Sequence, residues 1–489
     1  MTSFEKVIFS LFAFGLIACS SEVSEAIVEK TNPNVILIVV DDLGYADMSC
    51  MNLAEDVSTP NLDALAASGL RFTNAYASSP ICSPSRAGLI TGVYQARFGI
   101  HWYGGPGIHD TIYPSLAEVL KAKNYETAYI GKVHYGAEDW DTLNRSFPLN
   151  HGFDYFFGHT SARKHYLNHS EQIEANFQKI KQEHQRKGQS LRQQALWENA
   201  QKVDTIGFST AMFGAKARSF IRQKRDQAFF LQLSFNAVHN FTHQLPTEYL
   251  EAQQLEGYHD WNPAEEDYYE WYQKGRYPNN PEGRAQYLGQ LHYLDIEIGK
   301  LLEELNTQGI RDNTLIVFIG DNGGSTPIYA NNFPFRGSKY TLYEGGIRVP
   351  MLVSYPTQIP KGLTIENRVS TLDIVPSICR LTGNSISTKI DGLDISQLWL
   401  QTNENLKHDT LVWYTGMEAA VVAGPWKYRL AKSDGHAQYE MVELELGEFL
   451  YNLKEDPREQ NNLAAEYPVQ LKSMKSILED WKKEMGIVE

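Results

Sequence analysis

One stretch, residues 79–92, combines residue types that could do chemistry, and it reads Ser-Pro-Ile-Cys-Ser-Pro-Ser-Arg-Ala-Gly-Leu-Ile-Thr-Gly. Pro84 fixes its own φ and disfavours helix at the residue before it, which predicts Cys82 on a turn just before a helix that stops at Gly92. A helix N-terminus favours an anion, and Arg86, about one turn further on, suits an oxyanion, a phosphate or a sulfate. The pattern therefore indicates a thiol within an anion-binding site; the full run disfavours the alternative, a buried structural cysteine.

Two pairs of oxygen ligands follow apolar runs that are far apart in the sequence. Residues 35–40 are followed by Asp41 and Asp42, and residues 315–319 by Gly320, Asp321 and Asn322. Each run is typical of a central parallel strand buried on both faces, and parallel strands end at the same edge of a sheet, where open α/β sheets bind ligands. Alone, each pair is also compatible with an ordinary polar turn; together they predict a hard-cation site, with Ca²⁺ favoured and Mg²⁺ second.

Two further strand ends carry titratable side chains. Lys132 and His134 follow a predicted strand near residue 126 and alternate at the period of a strand, so both can face the same side. His239 follows the apolar strand predicted over residues 227–235. Without its flanking motif, His239 would be interpreted as a histidine satisfied in the core.

These motifs resemble those of the formylglycine-dependent sulfatases, in the run that begins at Cys82, in Gly-Lys-x-His ending at His134, and in a long run over residues 335–350 that contains Lys339. The resemblance spans about residues 33–465, with departures at Val133, Val238, Gly320 and Tyr340. It implies an α/β fold of the alkaline-phosphatase type, with a mixed, mostly parallel central sheet flanked by helices and a smaller C-terminal antiparallel sheet plus helix.

The resemblance also implies roles for the site residues. Cys82 is expected to be oxidised by a maturing enzyme to formylglycine (3-oxoalanine), whose hydrate supplies an oxygen nucleophile. Arg86 and Lys132 would steady that group, His134 would act as the base, and His239 and Lys339 would bind sulfate, one of them protonating the leaving oxygen. The predicted cation contacts Asp41, Asp42, Cys82, Asp321 and Asn322.

The first residues predict export. Residues 7–18 form a short apolar run after Lys6, too short to span a membrane, and the run leads into Cys19 through Leu-Ile-Ala. This ending resembles a bacterial lipobox, although an ordinary signal peptide with an incidental Cys19 is the alternative. We predict a signal peptide over 1–19, a tether over 20–32, a catalytic domain over 33–394 and a C-terminal subdomain over 395–489. The mature protein would be anchored by lipid to a bacterial membrane, periplasmic or on the cell surface.

The net charge and one aromatic loop indicate which classes of molecule the protein binds. A formal net charge of −15 argues against nucleic acid, so an anionic substrate must be drawn by a local positive pocket. An exported sulfatase with an aromatic, glycine-rich loop over residues 101–107 suggests a sulfated polysaccharide or its oligosaccharides, although that loop also fits an ordinary surface loop. Two other functions stay open: a phosphomonoester or phosphonate-ester hydrolase on the same scaffold, and a non-catalytic lipoprotein that binds sulfated glycans.

Two smaller points complete the sequence-based expectations. Pairing of Cys50 with Cys379 is left open, because their separation in sequence gives no geometry. The polar residues 165–202 are predicted to form a solvated helical insertion without chemistry.

Overall fold

A large mixed sheet runs through the computed structural model, which describes residues 32–136, 142–160, 166–168, 196–203, 205, 207–257, 266, 268–434 and 444–488. Its strands and those of the smaller sheets are β1 Asn34–Val40, β2 Leu70–Tyr76, β3 Glu126–Lys132, β4 Tyr155–His159, β5 Leu167–Asn168, β6 Leu196–Glu198, β7 Gln201–Val203, β8 Gly207–Phe208, β9 Phe229–Phe235, β10 Thr314–Gly320, β11 Arg348–Ser354, β12 Leu363–Ile365, β13 Val369–Ser370, β14 Thr410–Tyr414, β15 Glu418–Ala423, β16 Trp426–Ala431 and β17 Gly447–Asn452.

The α-helices lie between these strands and at the chain end. They are α1 Pro60–Ala67, α2 Cys82–Thr91, α3 Leu116–Lys121, α4 Ser209–Ile221, α5 Thr247–Gln253, α6 Tyr268–Lys274, α7 Gly283–Thr307, α8 Glu344–Ile347, α9 Ile374–Leu381, α10 Ser396–Trp399 and α11 Pro468–Glu484. None of the helices within the described part of the chain has the length and apolar character needed to cross a bilayer.

The centre of the large sheet is parallel. Its strands lie in the order β12-β2-β11-β10-β1-β9-β3-β4-β6-β7, with β13 paired to β2. The five strands β10, β1, β9, β3 and β4 run parallel to one another, whereas β11 is antiparallel to both β10 and β2, and β6 is antiparallel to β4. This arrangement confirms the predicted mixed, mostly parallel sheet.

The apolar sequence of β1 explains its central place. Its alternate residues Val35, Leu37 and Val39 face one hydrophobic core, while Ile36, Ile38 and Val40 face a second core on the other side of the sheet. Side chains of α2, α3 and α9 fill the first core, and those of α1, α4 and α7 fill the second. A strand covered on both faces needs this unbroken apolar run, because neither face meets water.

The C-terminal sheet is a separate four-stranded antiparallel sheet in the order β14-β15-β16-β17. The terminal helix α11 packs on it through Met474 and Leu478. Both elements agree with the prediction from sequence. Residues Asn32–Glu489 form one compact unit, and the boundary predicted after residue 394 stays a prediction.

Several expectations fall outside the described residues or stay untested. Residues 1–31, with the predicted signal peptide, Cys19 and nearly all of the tether, are not among the described residues, and neither are residues 169–195 of the predicted helical insertion. The described flanks of that insertion form the short strands β5, β6 and β7. Cys50 and Cys379 are both free thiols, so they do not pair in this structure.

Candidate active site

The carboxyl ends of β1 and β10 place the predicted oxygen ligands side by side. Val40, the last residue of β1, is in register with Gly320, the last residue of β10. Asp41 and Asp42 therefore leave the sheet next to Asp321 and Asn322, and the Asp42 amide donates to Asp321 Oδ1 at 3.2 Å. The side-chain amide of Asn322 donates to Asp42 Oδ1 at 2.8 Å. Residues 279 or more positions apart in the chain thus form one cluster.

Helix α2 brings Cys82 to the same cluster. The helix begins at Cys82 itself, two residues before Pro84, and is capped by Gly92, whose φ of 70° is the left-handed conformation that glycine tolerates. Cys82 Sγ lies 3.1 Å from Asp41 Oδ1 and 3.8 Å from Asp42 Oδ1. Every residue of α2 is buried, so the thiol is held by packing on all sides.

Each carboxylate of the cluster lies against a cationic side chain. Lys132 Nζ contacts Asp41 Oδ2, Lys339 Nζ lies 2.7 Å from Asp42 Oδ2, and Arg86 Nε donates to Asp321 Oδ2 at 2.7 Å. All of these side chains have 2% exposure or less. Burying charges away from water is unfavourable unless they are paired, and this pairing satisfies that requirement.

The two predicted histidines lie at the neighbouring strand ends. His239, after β9, has its Nε2 at 3.6 Å from Asp42 Oδ2. His134, after β3, has a φ of 51° and interacts electrostatically with Lys132, Arg86 and Asp41. The structure therefore brings all ten predicted site residues together, and none is more than 5% exposed: Asp41, Asp42, Cys82, Arg86, Lys132, His134, His239, Asp321, Asn322 and Lys339.

Burial and charge set the protonation of these groups. Burial opposes ionisation of Asp41, but Lys132, His239 and Arg86 outweigh it and hold the pKa of Asp41 well below its usual range. Burial, then the neighbouring Asp41, raises the pKa of Asp321 to about 7 against the opposing effect of Arg86. Burial and then the positive charges of Lys132 and Arg86 hold the pKa of His134 well below its usual value, so this imidazole is neutral in the folded protein.

The donor set fits a divalent cation. Asp41, Asp42, Cys82 and His239 each offer a ligand atom, and these atoms lie within 4.8 Å of one another. Among the described residues, the buried Asn322 Oδ1 has no hydrogen-bond partner, which is unfavourable unless a ligand satisfies it. Three carboxylates also face three cationic side chains here, so a bound divalent cation would leave positive charge for an anionic substrate. Asp321 was predicted to contact the cation, but in this structure its two carboxylate oxygens accept hydrogen bonds from Arg86 and from the Asp42 amide.

Supporting residues were missed in the sequence. Arg86 Nη1 donates to the carbonyl of Lys132 at 2.9 Å and to Ser234 Oγ at 3.1 Å, and the Tyr129 hydroxyl donates to the same carbonyl at 2.7 Å. Tyr129 and Ser234 lie on β3 and β9 and are buried. In the sequence, each of them is a residue with a hydroxyl group inside an otherwise apolar strand. A buried hydroxyl requires a hydrogen-bond partner, so this pattern could have indicated their supporting role.

Comparisons with known proteins match sulfatases over most of the chain. The family model described as Sulfatase matches residues 33–384, and the model described as N-sulphoglucosamine sulphohydrolase, C-terminal, matches residues 337–485. The chain is 27% identical to an N-acetylgalactosamine-6-O-sulfatase of Bacteroides thetaiotaomicron, over 92% of this chain and 93% of that protein. It is 28% identical to an ulvan-active sulfatase of Formosa agariphila, over 93% of this chain and 81% of that protein.

A solved structure is similar over the same length. The crystal structure of Ps i-CgsB in complex with k-i-k-neocarrahexaose superposes with a TM-score of 0.75 and 29% identity, covering 92% of this chain and 93% of that one. The chain therefore belongs to the sulfatase family, as a type I sulfatase of the alkaline-phosphatase superfamily. It is a sulfuric ester hydrolase, and the family implies a formylglycine and a divalent cation.

Proposed function

We propose that the protein removes sulfate from a sulfated polysaccharide or its oligosaccharides, using formylglycine at position 82 and a bound divalent cation. The observation that carries the proposal is the convergence of Asp41, Asp42, Asp321 and Asn322 on Cys82 at the end of the parallel sheet. These oxygen ligands favour Ca²⁺, with Mg²⁺ second.

The cation and the modified residue supply defined chemistry. When bound, a divalent ion would polarise a sulfate oxygen, and formylglycine at position 82 would supply an oxygen nucleophile. Asp41, Asp42, Asp321 and Asn322 would hold the ion. Within the chain itself, Arg86 is fixed by Asp321, Ser234 and the Lys132 carbonyl, so its guanidinium is oriented before the substrate arrives.

The remaining basic residues are assigned to sulfate binding and proton transfer. His134 is the base, because its buried imidazole is neutral and, among the described residues, its Nδ1 has no hydrogen-bond partner. Lys339 and His239 lie on the Asp42 side of the cluster and would bind the sulfate group. One of these two protonates the leaving oxygen.

Measurements on residue 82 and on the ester test the mechanism. The protein is produced with a formylglycine-generating enzyme, and the peptide containing residue 82 is identified by mass spectrometry. We expect conversion of Cys82, hydrolysis of 4-nitrophenyl sulfate, and loss of that activity on chelation, restored by Ca²⁺ better than by Mg²⁺. A higher kcat/KM for 4-nitrophenyl phosphate would favour the phosphoester hydrolase, and a converted, cation-loaded protein without activity would favour the glycan-binding lipoprotein.

The substrate class draws on the relatives. One acts on N-acetylgalactosamine-6-O-sulfate, one is active on ulvan, and one binds k-i-k-neocarrahexaose. Desulfation of 6-sulfated chondroitin, ulvan and carrageenan oligosaccharides therefore forms the screen. Turnover of small aryl sulfates alone would contradict a polysaccharide substrate.

Location is proposed from the N-terminus. We propose export, removal of residues before Cys19, and lipid attachment at Cys19, which anchors the enzyme to a bacterial membrane in the periplasm or at the cell surface. Metabolic labelling with a palmitate analogue should mark the wild-type chain and fail to mark Cys19→Ala. Equal labelling of both chains would exclude this anchor.

A further inference from the structure

Two aromatic rings lie beside the cationic cluster. The Tyr340 ring centroid is 5.3 Å from Lys339 Nζ, which itself lies 2.7 Å from Asp42 Oδ2. The Trp102 ring follows at 5.6 Å from Tyr340, with 36° between the ring planes. Tyr103, whose side chain is 53% exposed, lies 6.1 Å beyond Trp102. The rings thus form a short series from the buried cluster to solvent.

The backbone of Tyr340 is unusual for an aromatic residue. Its φ is 71°, in the left-handed region that disfavours residues with a side chain and favours glycine. The conformation is held because the Tyr340 amide donates to the Pro80 carbonyl at 2.9 Å, two residues before Cys82. A large ring kept at a position suited to glycine, at the edge of an active site, indicates that the ring itself is needed.

We propose that the faces of Trp102 and Tyr340 form a subsite for a sugar ring of the substrate, next to the cluster that binds its sulfate. This inference rests on the carbohydrate substrate proposed above. The two rings come from separate segments, the loop over residues 101–107 and the residue after Lys339, so the subsite exists only in the folded chain.

The chemistry of a pyranose suits this site. The face of an aromatic ring carries partial negative charge and its area is apolar, while the axial C–H bonds of a sugar carry partial positive charge. The sulfate group would lie toward Lys339 and the sugar ring toward Tyr340 and Trp102, because the Tyr340 ring lies next to the lysine Nζ and the Trp102 ring lies next to Tyr340. Binding of this kind is equal in the ground state and the transition state, so it acts on KM rather than on kcat.

The test uses the matured full chain and the three oligosaccharides of the screen, with 4-nitrophenyl sulfate as the reference substrate. For whichever oligosaccharide the wild type desulfates, Tyr340→Gly and Trp102→Ala should each raise KM about 2- to 10-fold with kcat within about twofold. Tyr340→Phe, which keeps the ring, should have the wild-type KM for the same oligosaccharide. Tyr467→Ala is the matched control, because Tyr467 is an exposed tyrosine whose ring lies 5.0 Å from Trp426 of the C-terminal sheet.

Tyr340→Gly is informative about folding as well. Glycine suits a φ of 71°, so this substitution should leave the midpoint of unfolding unchanged or raised. An unchanged oligosaccharide KM in both Tyr340→Gly and Trp102→Ala, or a fall in kcat alone, would overturn the subsite. A wild type that hydrolyses the aryl sulfate but none of the oligosaccharides would also overturn it, while leaving the sulfatase intact. A converted wild type that hydrolyses no sulfate ester would overturn the proposed function itself.

Discussion

Lys427 provides the sharpest test of how the C-terminal sheet is attached. It lies on β16 with no exposed surface, and its Nζ is 2.9 Å from Glu344 Oε1 and 2.8 Å from Glu459 Oε1. Both carboxylates are also fully buried. Burial works against the charged ammonium, but the two glutamates outweigh it and raise the pKa of Lys427, so the side chain stays charged.

The size of the expected loss in stability depends on which partners the two carboxylates keep when Lys427 is removed. In Lys427→Met, Glu344 retains Arg348 at 3.0 Å and the Tyr76 hydroxyl at 2.8 Å, whereas Glu459 retains the Glu344 amide at 2.6 Å. Removing one partner of a buried ion pair costs about 3–5 kcal/mol of the free energy of unfolding, and we expect a loss in this range. Since domains unfold with about 5–15 kcal/mol, the variant should be close to marginal.

Equilibrium unfolding in urea, followed by tryptophan fluorescence, measures this loss. Lys427→Met/Glu459→Gln should recover about half of it, because the uncompensated charge is removed. Lys483→Met is the control, since Lys483 is 77% exposed and its pair with Asp480 should contribute within about 0.5 kcal/mol. A loss below about 1 kcal/mol for Lys427→Met would refute the reasoning, because the carboxylates would then have been solvated or protonated at little expense.

Three further predictions concern the site and its support. Cys82→Ala should lower kcat/KM for 4-nitrophenyl sulfate by about 10⁴-fold or more, because the nucleophile is lost. Gly131→Ala should cost about 2–4 kcal/mol of the free energy of unfolding, since the φ is 110° and the new Cβ would lie 1.8 Å from the Ser234 carbonyl oxygen. Burial lowers the pKa of His151 to about 3, so the folded state refuses a proton that the unfolded chain accepts. Between about pH 6.5 and about pH 3, this residue therefore makes the free energy of unfolding decrease as the pH decreases, by about 1.4 kcal/mol per pH unit. Urea unfolding of wild type and His151→Phe across this pH range measures the difference.

Each of these has a control. Cys379→Ala removes another buried free thiol and should keep the activity; equal loss in both cysteine variants would contradict the role of residue 82. At Gly99, where φ is 68° and no atom of the described residues lies within 4 Å of an added Cβ, alanine should cost only about 1–2 kcal/mol. His292→Gln, which changes an exposed histidine, is the control substitution for His151→Phe. Identical pH slopes for His151→Phe and wild type would show that His151 takes up its proton in the folded state.

The sequence predicted the parts of the fold that depend on local pattern. Apolar runs located β1, β9 and β10, and because parallel strands end together, the residues after them were predicted to meet. Pro84 and Gly92 located the ends of α2 to within two residues. These features need no knowledge of distant contacts.

What the sequence did not predict depends on long-range pairing. The antiparallel placement of β11 between β10 and β2, the engagement of Asp321 by Arg86 and the buried place of Lys427 are set by neighbours distant in the chain. Lys427 lies within an alternating strand and has no local signal that separates it from a solvated lysine. The left-handed backbone of Tyr340 is likewise imposed by its bond to Pro80.

The ion triad of Lys427 also reaches the catalytic edge of the large sheet. Glu344 begins α8, and within that helix the Gly346 carbonyl accepts the amide of Gly323, the neighbour of Asn322, at 3.0 Å. The C-terminal strands therefore brace the loop that carries a proposed calcium ligand, although they contribute no ligand themselves. A shortened or chimeric enzyme would therefore have to keep β16 and Glu459 together with α8. Without them, the loop that carries Asn322 would lose part of its support.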